Sequence, residues 1–251
     1  MAFKELLKFL SWELVNSPLL KLKKRRVYSF NSAFKGLNLG CGFENNPAWL
    51  GIEGGLGHVI VRRLPKPLVK LIYKKFNIKK YSFAEYYSKL KSMKIIHHNL
   101  LYGIPFADDS VPNIFSSHFF EHLSKEEGEF LLRESYRVLC SNGIIRICVP
   151  SLDEVVREMK EAINDYDSGG IEKIQKFVTA GFAATGIAGY MAFFQHYFHH
   201  HRWMYNFREL EAALAKVGFK EIKEMEYQKG NIPDVEMLDT RHGLFVEAAK
   251  E

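Results

Sequence analysis

The sequence predicts an α/β protein in which a doubly wound, mostly parallel sheet is covered by helices. Three observations lead there. Short apolar runs alternate with stretches of helical periodicity from Leu37 to Ala249. The first run ends in Gly40-Cys41-Gly42 and the next in Glu53-Gly54-Gly55, the turn chemistry expected where parallel strands finish. The run Ile144 to Val149, rich in β-branched residues and closed by Pro150, has the character of a central strand buried on both faces.

Each element follows from its own residues. Phe3, Leu6, Leu7, Leu10 and Leu14 make one helical stripe, followed by the basic run Lys21, Lys23, Lys24, Arg25, Arg26. Glu5, Lys8 and Glu13 interrupt that stretch, so it is not expected to be a secretory signal. Leu37 to Leu39 and Trp49 to Glu53 read as the first two strands. Pro65 and Pro67 then open an apolar, Lys-rich stretch through Phe76, and Ile95 to Asn99 gives a third strand. Residues 104–110 are turn chemistry, and Ile114 to Ser117 is a fourth strand running into His118. Ser124 with Glu127 forms a capping box for a helix expected to stop at Asn142-Gly143. Asn206 caps a helix with the stripe Phe207, Leu210, Leu214, Val217 and with Gly218 as terminator. Phe219 to Met225 and Leu244 to Ala249 close the pattern as an antiparallel pair at the sheet edge, with no helix expected between them.

Composition excludes collagen-like, low-complexity and wholly disordered chains: 251 residues, 47% hydrophobic and 25% charged. Cys41, Cys140 and Cys148 are too few and too scattered for a disulfide framework, and the expected compartment is reducing, hence cytoplasmic. Charge is uneven. Residues 1–36 hold 8 Lys/Arg against 2 Glu and residues 58–98 hold 11 against 1, so two basic segments are attached to an acidic body. Such patches favour anionic partners, with peripheral contact at an anionic membrane face as one expectation and a solvated surface as the other. Phe177 to Phe194 carries no charge, but its glycines, threonines and alanines make it weakly apolar, so a buried helical lid is expected there rather than a membrane span.

Glycines after one strand and an acid after the next suit a nucleoside-bearing ligand, because the backbone can approach closely and the carboxylate can take a ribose hydroxyl pair. Asn45 stands where a dinucleotide fingerprint needs its third glycine, and no GxxxxGK[ST] occurs, which argues against pyrophosphate and triphosphate binders.

Leu37-Asn38-Leu39-Gly40-Cys41-Gly42 resembles the LNLGCG motif of class I S-adenosylmethionine-dependent methyltransferases. Ile104 to Ser110 resembles their LPFxDxS turn, Ser116 to Leu123 their SSHxxEHL segment, and Glu134 to Pro150 their ExxRVLKPGGxxRIxVPD stretch. Trp203-Met204-Tyr205, Gly218-Phe219 and Arg241-His242 are similar to a little-characterised bacterial and archaeal branch of the type 11 group. The resemblance implies a Rossmann-like seven-stranded sheet, mostly parallel with one antiparallel edge strand, with helices on both faces and a helical lid insertion. The division it suggests is an N-terminal helix and basic segment over 1–35, then a single methyltransferase domain over 36–251 with a basic insertion at 58–94 and a lid at 154–205.

Carried over position by position, the resemblance implies S-adenosyl-L-methionine as cofactor. Its site would comprise Asn38, Gly40, Cys41, Gly42, Glu53, Gly54, Asn99, Leu100, Ser117 and His118, with Glu53 on the ribose and Asn99 beside the adenine amino group. His122, Glu121 and His118 are the catalytic candidates, since a proton must leave the acceptor. His196, His200, Arg202 and Tyr205 are the expected acceptor contacts. His196, His199, His200 and His201 form a cluster of which the first three could share a helix face, but no metal is expected, because no nearby Cys or carboxylate completes a ligand set. Asn113, Cys140-Ser141-Asn142 and Ser151 depart from the family pattern, and an inactive cofactor-binding scaffold stays as an alternative. The expected activity is O-methylation of a small, sugar-like or lipid-linked glycan acceptor. An RNA methyltransferase is the other alternative, with Tyr73, Phe76, Tyr81 and Phe83 as stacking residues, but nucleic acid is the less favoured partner because no NPPY-like motif occurs.

Overall fold

A computed structural model describes residues 16–44, 46–75, 78, 80–164 and 201–251. The stripe at 3–14, Phe76, His196, His200 and the charge-free stretch 177–194 lie outside them.

Seven strands form one sheet: β1 (Leu37–Leu39), β2 (Leu50–Glu53), β3 (Ile95–His97), β4 (Val111–Ser117), β5 (Leu139–Val149), β6 (Lys220–Met225) and β7 (Leu244–Ala249), in the order β3-β2-β1-β4-β5-β7-β6. β1 pairs in parallel with both β2 and β4, Leu39 lying opposite Ile52 on one side and Ser116 on the other. The chain therefore winds outward through β2 and β3 and returns to the far side of β1. In open α/β sheets such a reversal marks the place, here beyond the carboxyl ends of β1 and β4, where ligands bind. β7 runs antiparallel to both β5 and β6. The reversed strand thus lies one place in from the edge, and β6, outermost, points the same way as the other five.

Helices α1 (Leu56–Val61), α2 (Lys66–Lys75) and α3 (Phe83–Ser92) fill the basic insertion. A capping box that the sequence reading passed over starts α3: Ser82 Oγ accepts from Glu85 N–H, and the Glu85 carboxylate accepts from Ser82 N–H. Helix α4 (Lys125–Val138) begins at the expected Ser124–Glu127 box but ends before Asn142-Gly143. Leu139 is already extended and starts β5, and the register jumps from Val111↔Leu139 to Asn113↔Ile144. The intervening residues form a bulge in which Asn142 takes a positive φ and a side chain on Gly143 would meet the Cys140 carbonyl oxygen at 2.8 Å. The apolar periodicity runs through this bulge and so overruns the helix, which ends at Val138. Helix α5 (Leu152–Asn164) follows β5. Helix α6 (Phe207–Val217) has the cap and terminator the sequence shows, with Gly218 at φ 115°. A one-turn helix, α7 (Val235–Leu238), stands in the β6–β7 connection, where none was expected.

The main core packs α4 and α6 on one face of the sheet through Leu131, Leu132, Leu210, Leu214 and Phe219 against Ile114, Ile145 and Val246. Trp49, Phe115, Ile232 and Leu238 make a smaller core. A third cluster joins Cys41 to the insertion through Val59, Val69, Tyr86, Leu90 and Met93. The insertion is thereby packed onto the glycine turn.

Candidate active site

Gly40 and Gly42 both take positive φ, 63° and 50°, which turns the chain sharply off β1. The Glu53 carboxylate, at the end of β2, reaches across this turn: Oε2 accepts from Gly42 N–H at 2.9 Å and Oε1 from Gly55 N–H at 2.7 Å. It thereby ties the two loops that follow β1 and β2, and each oxygen keeps further lone-pair capacity. A Cβ on Gly42 would meet nothing within 4 Å, so the space above that residue is open to a ligand. At Gly40 a Cβ would meet the Phe119 ring at 2.3 Å. The floor at Gly40 is covered by the protein itself, and the part a ligand can approach is Gly42 with the Glu53 carboxylate.

The other expected cofactor residues are spread around this pair. Asn38 is buried in β1 and donates to the Glu44 carbonyl at 3.4 Å. Cys41 is buried, and burial with the charge of Glu53 pushes its thiol well above the usual range, so it packs and does not react. The Gly54 carbonyl accepts from Asn16 and from His97. Asn99 uses its side-chain oxygen to cap a short 3₁₀ turn, accepting from Leu101 N–H at 2.9 Å. Leu100 is buried in the core, and Ser117 ends β4.

A second group stands where β4 ends. His118 has a positive φ of 51°, uncommon for a residue with a side chain, and its N–H donates to the Cys148 carbonyl. Its Nδ1 is 3.2 Å from Glu121 Oε1, while its Nε2 is buried with no hydrogen-bond partner among the described residues. Glu121 is 1% exposed, and neither of its oxygens accepts a hydrogen bond from a described residue. The chain returns here after α5. Arg202 N–H and Trp203 N–H both donate to the Glu121 carbonyl, and Leu152 N–H donates to the Tyr205 carbonyl. That return sets His201 against His122, with ring centroids 5.5 Å apart. The sequence places His201 in the cluster His196, His199, His200 and His201 but assigns it no role of its own; only the fold sets it beside His122.

Arg202, expected at the acceptor, pairs with Glu127 on α4 at 2.5 Å. Tyr205 is buried in the main core, its hydroxyl lying where a side chain on Gly128 would go. Burial pushes that phenol up to about 12. With Trp203 it lines a cavity of about 150 Å³ between α4 and α6.

The departures from the family pattern have structural uses. Ser151 accepts from Glu154 N–H at the start of α5, and Asn113 donates to the Lys35 carbonyl. Of the aromatics offered for base stacking, Tyr73, Tyr81 and Phe83 are engaged with one another: Tyr73 donates to the Tyr81 carbonyl, and its ring meets Phe83 and Tyr86 at 5.4 and 5.5 Å. No helix among the described residues is long and apolar enough to cross a membrane.

Residues 37–147 match a family model described as a methyltransferase domain. No curated protein matches the chain. Among solved structures, it is similar to a SAM-dependent methyltransferase of Thermotoga maritima, at 15% identity and a TM-score of 0.44, over 98% of this chain and 96% of that one. It is likewise similar to a SAM-dependent methyltransferase of Archaeoglobus fulgidus, at 16% identity and a TM-score of 0.43, over 95% and 94%.

Proposed function

We propose that residues 37–147, which match the methyltransferase-domain model, are a class I S-adenosylmethionine-dependent methyltransferase domain, and that the chain methylates a hydroxyl of a sugar-like or lipid-linked acceptor held at an anionic membrane surface. The observation that carries the reading is the Glu53 carboxylate bridging Gly42 and Gly55. Gly42, Glu53 and Asn99 are the residues that would hold the cofactor, Glu53 through the ribose hydroxyls. When bound, S-adenosylmethionine supplies an electrophilic methyl group on a sulfonium.

The chain has two tasks in such a reaction: to align the acceptor oxygen with the methyl carbon and to take the hydroxyl proton. The cofactor's thioether would be the leaving group, so the only proton the residues of the chain need deal with is the acceptor's. His118 is placed to accept the proton at its buried Nε2. Glu121, 3.2 Å from Nδ1, stabilises the imidazolium that results. Phe119 covers Gly40, and the insertion packs onto the glycine turn through Cys41.

Support for the membrane surface comes from α2. One face buries Val69, while Leu68 and Leu71 are 48% and 63% exposed among the exposed Lys66, Lys70, Lys74 and Lys75. Apolar side chains ringed by lysines suit an anionic bilayer interface.

Calorimetry with S-adenosylhomocysteine tests the cofactor step. The wild type should bind, and Glu53→Ala should bind at least about 100-fold more weakly, the worth of two hydrogen bonds to a charged group. No binding by the wild type would remove the reading. Flotation with phosphatidylglycerol vesicles, but not with phosphatidylcholine vesicles, and its loss in Leu71→Glu, tests the surface.

A further inference from the structure

We infer that Glu121, His122 and His201 form a site for one divalent transition-metal ion of the zinc class, at the carboxyl end of β4. Ligand atoms of the three residues all lie within 4.8 Å of one another. Glu121 and His122 come from the 3₁₀ turn Phe120–His122, while His201 directly precedes Arg202 and Trp203, whose N–H groups donate to the Glu121 carbonyl. The backbone therefore holds both halves of the set in place.

The second, independent observation is the state of Glu121. A carboxylate this deeply buried normally accepts two or more hydrogen bonds or pairs with a cation. Here neither oxygen accepts one from any described residue, and the closest side-chain nitrogen is the His118 Nδ1 at 3.2 Å. An ion coordinated by Glu121 would supply the missing positive charge. His118 would then be the outer group that orients the carboxylate, as such groups commonly do in metal sites.

The donor set selects the ion. Two imidazoles and one carboxylate suit zinc and its neighbours, whereas magnesium prefers an all-oxygen shell. With metal–ligand bonds of about 2.1 Å, donors across a tetrahedral ion stand about 3.4 Å apart, so small side-chain rotations close the present spacing. Three protein ligands leave one position open, as in catalytic rather than structural zinc sites. An oxygen ligand of the acceptor is the class of group that fits it. That use of the open position rests on the methyl-transfer reading, whereas the presence of the site does not.

The test uses the full chain, stripped with chelator and titrated with zinc and, separately, magnesium, with bound metal measured by elemental analysis. One zinc per chain, at least tenfold tighter than magnesium, is expected, together with at least tenfold weaker zinc binding in both Glu121→Gln and His201→Ala. His201 is exposed, so its variant remains informative even if the buried glutamate variant misfolds. Zinc binding that survives His201→Ala, or that is lost only when His196, His199 and His200 are replaced, would overturn the assignment, as would no zinc uptake. S-adenosylhomocysteine binding is measured on the same samples. Its absence beside intact zinc binding would sink the cofactor reading and leave this site standing.

Discussion

Two groups of buried carboxylates flank β5, and they have been treated very differently. Asp239 and Glu247 surround Arg146, which is fully buried in the middle of that strand. Its guanidinium is bidentate on Asp239 at 3.0 and 2.5 Å and reaches Glu247 at 2.9 Å. Backbone N–H groups of Gln228, Asn231 and Ile232 satisfy the remaining oxygen positions. Glu121 is as deeply buried but has no arginine and accepts no hydrogen bond among the described residues. The contrast separates two uses of a buried charge. The first cluster is closed on itself and fastens the β6–β7 connection to the sheet, and the second keeps its binding capacity unspent at the carboxyl end of β4.

The largest effect should come from breaking the closed cluster. Arg146→Met leaves two carboxylates buried without their cation, and a loss of about 3–5 kcal/mol is expected, to be read from the urea midpoint. A loss below about 1 kcal/mol would mean that the network is not the fastening described.

The same substitution made in each cluster sharpens the comparison. Glu247→Met should destabilise by about 2–3 kcal/mol, because it strands the Arg146 donor and the N–H groups of Asn231 and Ile232. Glu121→Met, in chelator-treated protein, should be neutral or stabilising by about 1 kcal/mol, because it removes a carboxyl group whose lost hydration nothing replaces. Thermal melts of the two variants side by side give the sign directly. Equal destabilisation in both would end the distinction between them.

Much of the scaffold can be read from local chemistry. Strand β1 with its glycine turn, the capping box at Ser124, the cap at Asn206 and the stop at Gly218 all depend on residues a few places apart, and the structure shows each of them. What escaped was non-local or backbone-encoded. The bulge at 140–143 depends on how β5 meets β4, which hydrophobic periodicity does not record. Arg146 looks like any charged residue in a strand until Asp239 and Glu247, 93 and 101 residues away, are brought to it. For the candidate site, Glu53 and Gly42 came from motif spacing, and the structure joins them by a hydrogen bond. His201 did not, because only the return of the chain after α5 sets it beside Glu121 and His122. Phe119 falls at an unspecified position of the segment resembling SSHxxEHL, and in the structure it fills the space over Gly40.

The smallest predicted effect concerns a third carboxylate, Glu44, half-exposed in the loop after the glycine turn. It ties the basic insertion to that loop by accepting from Lys80 at 2.6 Å, Tyr81 at 2.7 Å and Lys89 at 2.5 Å. Burial opposes its ionisation, but the hydrogen bonds from Lys80, Lys89 and Tyr81 and the charge of Lys89 outweigh that and hold the carboxyl at about 2, below its usual 4.5. Because the folded value lies below the unfolded one, this contribution is complete above pH 4.5 and disappears as pH falls toward 2. Solvent screens a group this exposed, so Glu44→Gln should cost only about 1 kcal/mol near neutrality. The gap between the melting temperatures of wild type and variant should narrow steadily over that acid range. A gap that stays constant with pH would show that Glu44 acts through packing alone, and the lysine-rich insertion would then have to be held on the glycine loop by its aromatic core.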